Sequence, residues 1–170
     1  MATTSESYVL FELAGTTYAI RSATVLHIEM LEHITLVPNS HRAVEGVVFS
    51  RGQVIPALNL RVRFGFPREA SGMRTRILFT RSGDRVVGLI VDSAREFRNI
   101  PAESIRPIEE SLAGIHGNYL TGLATIQGRL VLVLELAAVL NLDQDQSLAG
   151  SIDELVTRAT AQLAETPANK

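Results

Sequence analysis

One pattern occurs twice along the chain, and this repeat constrains the possible folds more than any other feature. The segment VEGVVFSRGQVIPALNLRVRF (44–64) aligns without a gap with LTGLATIQGRLVLVLELAAVL (120–140). Apolar residues coincide at most of the strand-like positions. The matching glycines are Gly46 with Gly122 and Gly52 with Gly128. Since a solenoid needs at least three repeats, two copies predict two similar lobes.

A looser similarity lies upstream of each copy. The segment YVLFELAGTTYAI (8–20) resembles RILFTRSGDRVVGLI (76–90). Each combines a strand, a turn containing glycine and a returning strand, so the chain is organised as two halves that open and close with a hairpin. The expected strands are 7–13, 17–21, 76–81 and 85–91.

Short strands separated by glycine turns favour barrels or a sandwich over βαβ units. Closure into a barrel would also remove the exposed edges of such apolar strands. Pro56 lies inside an apolar strand and cannot donate to a ladder, so we expect it at an edge or a bulge. Helical signals are few: residues 22–29 fit a short helix or a strand, and 136–142 fit a helix. The sequence therefore predicts an all-β protein with short helices.

The ends of the chain differ from its body. Residues 1–6 are expected to be a flexible N-terminus, and the body extends over 7–142. Residues 143–150 are polar and fit a linker, followed by an amphipathic helix and tail over 151–170. Ser151 and Glu154 form a capping box at the start of this helix. Its apolar stripe fits docking on the protein's own barrels, with partner binding as the alternative.

Composition excludes several classes of function. The chain has 170 residues, of which 46% are hydrophobic and 20% charged, so it can bury a core. The net charge is −2 and only 5% of residues are aromatic, which argues against a nucleic-acid surface. Without cysteine, disulfides and thiolate sites are excluded. No signal peptide is visible, and the apolar run 130–140 is too short to span a bilayer, so a cytoplasmic protein is expected.

The sequence contains no arrangement typical of a catalytic or metal site. The four histidines have no metal-ligand spacing, although His27 and Glu29 would share one face of a strand. Asp92 follows an apolar strand directly and is expected to accept backbone hydrogen bonds there. We therefore expect no enzyme activity, catalytic residue, metal or cofactor. A nucleic-acid-binding small barrel and a hydrolase that uses Asp92 are the alternatives to a protein-binding module.

Several motifs resemble the CheW family of bacterial chemosensory adaptor proteins. They are YVLFELAGTTYAI, VEGVVFSRGQVIPALNLRVRFG, RVVGLIVDSAREFRNIP, IRPIEES and YLTGLATIQGRLVLVLEL, which occur in the family's order over about residues 7–142. The resemblance implies two intertwined five-stranded SH3-like barrels. It also implies a non-enzymatic adaptor that couples methyl-accepting chemoreceptors to a CheA-type histidine kinase, recruited to membrane receptor arrays.

The resemblance also implies two sets of binding residues. The receptor's helical tip would contact a groove between the barrels, at Arg51, Val25, His27, Ile28, Ile77 and Leu78. The kinase regulatory domain would contact Arg106 and Ser111. Two positions depart from the family pattern: Phe49-Ser50 replaces the usual Asn-Leu, and His27 replaces a residue that is often acidic. The partners could therefore belong to a pilus, gliding or other non-flagellar chemosensory system.

Each of these residues also has a structural interpretation. Gly46, Gly52, Gly122 and Gly128 fit turns or bulges that set the shape of the hairpins. The apolar residues of the receptor set fit a protein core. Arg51 fits a solvated turn charge, but the second copy carries Gln127 at that position. Hairpin geometry therefore does not require the arginine.

Overall fold

The computed structural model describes residues 4–108 and 119–141, with the side chain of Arg95 excepted. Ten strands and two short α-helices lie within these described residues. The strands are β1 (Ser5–Leu13), β2 (Thr16–Arg21), β3 (Val25–Met30), β4 (Val44–Ser50), β5 (Gln53–Asn59), β6 (Arg76–Ser82), β7 (Arg85–Val91), β8 (Ser93–Pro101), β9 (Leu120–Ile126) and β10 (Arg129–Leu134). The helices are α1 (Leu60–Arg63) and α2 (Leu136–Leu140). Single 3₁₀ turns lie at Ser22–Thr24 and Ala102–Ser104.

The sequence repeat is a structural repeat of hairpin and helix. The hairpin β4–β5 leads into α1, and the hairpin β9–β10 leads into α2. Each hairpin turn has two residues, and both glycine turns that were expected upstream also join paired strands. The all-β prediction, including the helix after the last strand, is confirmed.

The strands form two five-stranded sheets that do not correspond to the two halves of the sequence. The middle lobe contains β3 to β7 in the order β3-β6-β7-β5-β4, and the terminal lobe has the order β8-β1-β2-β10-β9. Each lobe joins the opening hairpin of one half to the closing hairpin of the other through a parallel pair, β2–β10 or β7–β5. The predicted intertwining of the lobes is therefore confirmed.

The faces of the two sheets explain why the lobes do not act as separate units. Alternate residues of each strand point to opposite faces. In β6, Leu78 packs into a core shared with the terminal lobe, whereas its neighbours Ile77 and Phe79 fill a core inside the middle lobe. In β1, Val9 faces the shared core and Leu10 faces the interior of the terminal lobe. The shared core thus joins the two lobes, and each lobe has a further core of its own.

One short bridge links the opposite edges of each sheet. The chain that leaves β3 returns to pair Thr35 with Val47 of β4, and the chain that leaves β8 pairs Arg106 with Leu123 of β9. Both bridges contain two backbone hydrogen bonds of 2.8–2.9 Å. A glycine precedes the bridged residue of each strand: Gly46 precedes Val47 in β4, and Gly122 precedes Leu123 in β9. The missing side chain allows the close approach, because a Cβ on Gly46 would lie 2.2 Å from the Thr35 backbone oxygen. On Gly122 it would lie 2.7 Å from the Arg106 oxygen.

Some boundaries differ from those expected from sequence. Ser5 and Glu6 were assigned to a flexible N-terminus, but they extend β1 and pair with the end of β8. Residues 22–29 form one 3₁₀ turn followed by β3, since β6 offers a strand partner that local periodicity does not reveal. The expected linker (143–150) and C-terminal helix (151–170) lie outside the described residues. No helix among the described residues is long and apolar enough to cross a membrane.

Pro56 lies in an interior strand, and its missing N–H is nevertheless accommodated. It is opposite Val47, whose own N–H and C=O both bond to Thr35. The nitrogen of Pro56 therefore points away from β4, and the ladder with β7 begins only at Ala57. The expected edge or bulge position was wrong: the bulge of this pair lies between Val44 and Gly46, and the parallel ladder starts one residue after the proline.

Candidate functional site

Arg51 lies in a hairpin turn with a left-handed backbone. Its φ is 49°, and Gly52 follows with φ 78°, as in a type I′ turn. The guanidinium is exposed and makes no hydrogen bond or ion pair to any described residue. Gln127 has the same φ of 49° in the other copy, so the turn forms equally with an uncharged side chain. Nothing in the described fold requires a positive charge at Arg51.

A polar cluster holds this turn against the opposite edge of the middle lobe. The Nε2 atom of His27 lies 3.2 Å from Glu29 Oε1 and 3.4 Å from Ser50 Oγ. The Ser50 hydroxyl donates to Glu29 at 3.5 Å. The imidazole stacks on Phe79 with centroids 4.3 Å apart, so His27 faces the lobe interior. Ser50 and Glu29 both contact the Nε2 atom of His27, whereas in a catalytic triad the nucleophile and the carboxylate contact different ring nitrogens.

The apolar residues implied as receptor contacts divide into two groups. Val25 and Ile28 are partly buried and pack at the rim of the shared core. Ile77 and Leu78 are only 2% and 0% exposed. Leu78 therefore has no surface for a partner, and Ile77 contributes only the floor of an opening between β3 and β4. The sequence pattern does not distinguish these groups, because all four are apolar residues of short strands.

The terminal lobe carries a counterpart of the β3 rim. Ile28 pairs with Leu78, and Phe97 of β8 pairs with Val9. Both partners belong to the shared core, so Phe97 is the structural equivalent of Ile28. Phe97 is 65% exposed, which is unusual for an aromatic side chain in a chain with few of them. Sequence reasoning missed it, because only the strand pairing shows that it lies on the same face of its sheet as Val9.

An ion pair fastens the junction between the lobes. Arg61 of α1 donates to both carboxylate oxygens of Asp92, from Nε at 2.7 Å and from Nη2 at 2.6 Å. Asp92 also accepts from the Ala14 N–H at 2.9 Å, while its own N–H donates to the Glu12 oxygen. The expected structural role of Asp92 at a strand end is therefore confirmed. Its position at the crossing from β7 to β8 connects the two sheets.

The electrostatics of Asp92 fit this structural role. Burial alone would raise the pKa of the carboxyl group, but hydrogen bonds from Arg61 and from the Ala14 N–H lower the pKa below its ordinary value. A general base needs a pKa near the working pH and a free oxygen. Asp92 has neither, so it is not a hydrolytic base.

A second arginine of α1 reaches the terminal lobe. Arg63 donates to the backbone oxygens of Val139 and Asn141, both at 3.1 Å, at the end of α2. Its guanidinium also lies 4.6 Å from the centre of the Tyr119 ring. Cations are favoured at helix C-termini and over aromatic faces. Arg63 thus contacts the terminal lobe directly, whereas Arg61 acts through Asp92, which bonds to the backbone of that lobe.

The implied kinase residue Arg106 lies on the terminal lobe. Its backbone bridges β9 and its side chain is exposed. It lines a groove of about 600 Å³ that also contains Leu123 and Leu130. Leu130 is 56% exposed and adds apolar surface to this groove. Ser111, the other implied kinase residue, lies outside the described residues.

The described residues contain no group of three or more potential metal ligands. Their grooves are lined by charged and apolar side chains. Two intertwined β-lobes with partly apolar grooves and an unpaired turn arginine define a protein-binding scaffold.

Comparison with known proteins identifies the family. Residues 7–144 match the family model described as "CheW-like domain", so the chain belongs to the CheW-like family. This is a family of scaffold or adaptor proteins rather than enzymes.

Individual proteins agree with this placement. The chain is 28% identical to the chemotaxis protein CheW of Klebsiella aerogenes, over 84% of this chain and 86% of that protein. It is 30% identical to the protein FrzA of Myxococcus xanthus, over 60% and 64% of the two chains. The crystal structure of the scaffolding protein TtCheW from Thermoanaerobacter tengcongensis superposes with a TM-score of 0.75 at 25% identity, covering 81% of this chain and 94% of that one.

Proposed function

We propose that this protein is the adaptor that couples methyl-accepting chemoreceptors to a CheA-type histidine kinase. The observation that carries the proposal is the exposed, unpaired Arg51 on a turn whose geometry does not need it. A charge that contributes nothing to the fold is available for a partner. Membership of a family of chemotaxis scaffolds supports a receptor and a kinase as the partners.

The two partners are assigned to different surfaces. The receptor tip contacts the rim of the shared core at Val25 and Ile28, together with Arg51. The kinase regulatory domain contacts the terminal lobe at Arg106, next to the exposed Leu130. Separate surfaces allow both partners to bind at once, which an adaptor requires.

The test compares matched substitutions in the two copies of the hairpin. Arg51→Gln introduces the residue of the second copy, and Gln127→Arg makes the reverse change. Full-length variants are mixed with the kinase and with receptor-containing membranes, and both binding and receptor-dependent autophosphorylation are measured. We expect Arg51→Gln to weaken receptor binding about tenfold while kinase binding is unchanged. Gln127→Arg should leave both unchanged.

Arg106→Ala provides the opposite control. It should weaken binding to the kinase regulatory domain about tenfold without an effect on receptor binding, since its backbone bridge to Leu123 remains. If unsubstituted protein bound neither a receptor nor a kinase from its own organism, the proposal would be wrong. A folded Arg51→Gln variant with normal coupling would remove Arg51 from the site.

The similarity to FrzA favours a second candidate for the output of the system. The chain is 30% identical to FrzA, close to its identity with proteins named CheW. The same coupling could thus serve a pilus or gliding system. Deletion of the gene, followed by separate assays of swimming and of surface motility, distinguishes the two outputs.

A further inference from the structure

The middle lobe has an opening in the seam between its edge strands β3 and β4. One end of the seam is closed by the backbone bridge between Thr35 and Val47. The other end is closed by the side chain of Ser50, which contacts His27 and Glu29. Between these closures lies a groove of about 420 Å³. This volume is sufficient for one or two amino-acid side chains.

The edge of β4 presents unpaired backbone groups at this opening. Val47 uses both its N–H and its C=O on the Thr35 side of the strand. Backbone groups two residues apart in a strand point to the same side, so those of Phe49 also point into the seam. No backbone group of a described residue pairs with Phe49 there. The free N–H and C=O of Phe49 can therefore pair with one residue of an added extended segment, two positions along β4 from the bridge to Thr35.

The lining of the opening is apolar with an acidic rim. Ile77 and Phe79 form its floor, and the exposed side chains of Met30 and Phe49 flank its entrance. Glu29 and Glu32 contribute carboxylates, and no Lys or Arg lines the groove. Glu32 is exposed and has no ion-pair partner among the described residues. This combination suits an apolar side chain that is adjacent to a positive charge.

We propose that this opening binds an extended peptide segment of a partner protein, with one large apolar side chain next to a basic residue. The apolar side chain enters the groove, the segment's backbone pairs with Phe49, and the basic residue lies beside Glu32. A helical segment cannot make the backbone contact, since its own N–H and C=O groups are already bonded to each other. This site goes beyond the proposed coupling function and does not depend on it.

The terminal lobe provides an internal contrast. Thr125 occupies the position of Phe49, and Ile126 occupies that of Ser50. In β8, Arg98 replaces Glu29, as the strand pairing with β1 shows. The described part of that seam therefore lacks the aromatic entrance, and its groove contains Arg106 beside the carboxylate of Glu103. Selectivity for one lobe follows from these three differences.

The test uses the full-length protein and the synthetic peptide acetyl-Lys-Val-Phe-Val-Lys-amide. Binding is followed by amide chemical shifts in two-dimensional NMR spectra. We expect saturable shifts centred on residues 29–33 and 47–50. A peptide with Glu in place of both Lys residues, and one that is N-methylated at Phe, should each bind at least tenfold more weakly. The variants Phe49→Thr and Glu32→Lys should show the same loss.

Thr125→Ala is the matched control and should bind like the unsubstituted protein. Phe49 and Glu32 are exposed, so their variants are expected to fold, and this can be checked from their unfolding midpoints. Absence of saturable shifts would overturn the proposal. Shifts elsewhere, or equal binding of the N-methylated or charge-reversed peptide, would overturn it as well.

Discussion

The hairpin and helix of the middle lobe (β4–β5–α1) have the same fold as those of the terminal lobe (β9–β10–α2), but their side chains make different contacts. Positions that shape the backbone are the same in both: Gly46 and Gly122 admit a crossing strand, and both turns place a non-glycine residue at φ 49°. Positions that differ carry polar contacts in the middle lobe. Residues that are alike in both copies are therefore those that the fold requires, and residues that differ make contacts found in only one lobe.

The helices show this difference most clearly. Arg61 and Arg63 of α1 correspond to Ala137 and Val139 of α2. Arg63 reaches the terminal lobe and Arg61 bonds to Asp92 at the crossing between the lobes, whereas Val139 is fully buried in the shared core. Asn59 caps α1 by accepting from the Val62 N–H, and its counterpart Glu135 makes no such bond. The arginine side chains that stabilise the junction between the lobes thus come only from α1, in the first copy of the repeat.

The largest expected effect concerns the crossing glycines that both copies share. Gly46→Ala should lower the free energy of unfolding by about 3 kcal/mol, because the new Cβ collides with a backbone oxygen at a φ of 153° that disfavours side chains. Gly122→Ala should lower it by about 2 kcal/mol, since only the collision applies. Urea unfolding measures both values.

Gly72→Ala is the control for this pair, because no atom lies within 4 Å of the added Cβ. It should change the free energy of unfolding by less than about 0.5 kcal/mol. Equal and small effects at all three glycines would show that close approach is not what the two copies share.

Next in size is the ion pair that only the middle lobe contributes. Arg61→Met should lower the free energy of unfolding by about 2 kcal/mol, because it removes two charge-assisted hydrogen bonds from a partly buried carboxylate. Chemical denaturation at pH 7 measures the change. Arg129→Met, at an exposed arginine, should have an effect below about 0.5 kcal/mol. If both variants unfolded alike, the ion pair would not fasten the junction.

The effect of pH on this ion pair should be smaller. The pKa of Asp92 is lowered in the folded state, so its contribution to stability is complete above the unfolded value near 3.8 and is lost as the pH falls through the folded value. Asp92→Asn should lower the free energy of unfolding at pH 7 by about 1 kcal/mol. The difference between the two proteins should shrink below pH 4, as measured by unfolding between pH 7 and pH 3. A constant difference would contradict the lowered pKa.

These contrasts also show how far sequence alone could predict the molecule. Glycine spacing and apolar alternation predicted the hairpins, because turns and faces depend on local chemistry. The pairing of β2 with β10 joins distant segments and has no local signal. For the same reason the ion pair of Arg61 with Asp92, and the pairing of Phe97 with Val9, emerge only from the structure. Leu78 was misjudged as a surface candidate because an apolar strand residue does not reveal which face is covered.

The smallest expected effect lies in the two turns themselves. Asparagine tolerates the left-handed backbone better than arginine or glutamine, so Arg51→Asn and Gln127→Asn should each raise the free energy of unfolding by about 0.5 kcal/mol. The double variant should gain about 1 kcal/mol, because the turns lie in different lobes and act independently. Thr125→Asn, in a strand, should give no gain. Stabilisation at both turns, with a loss of receptor coupling only for Arg51→Asn, would separate the shared geometry of the turns from the function of one of them.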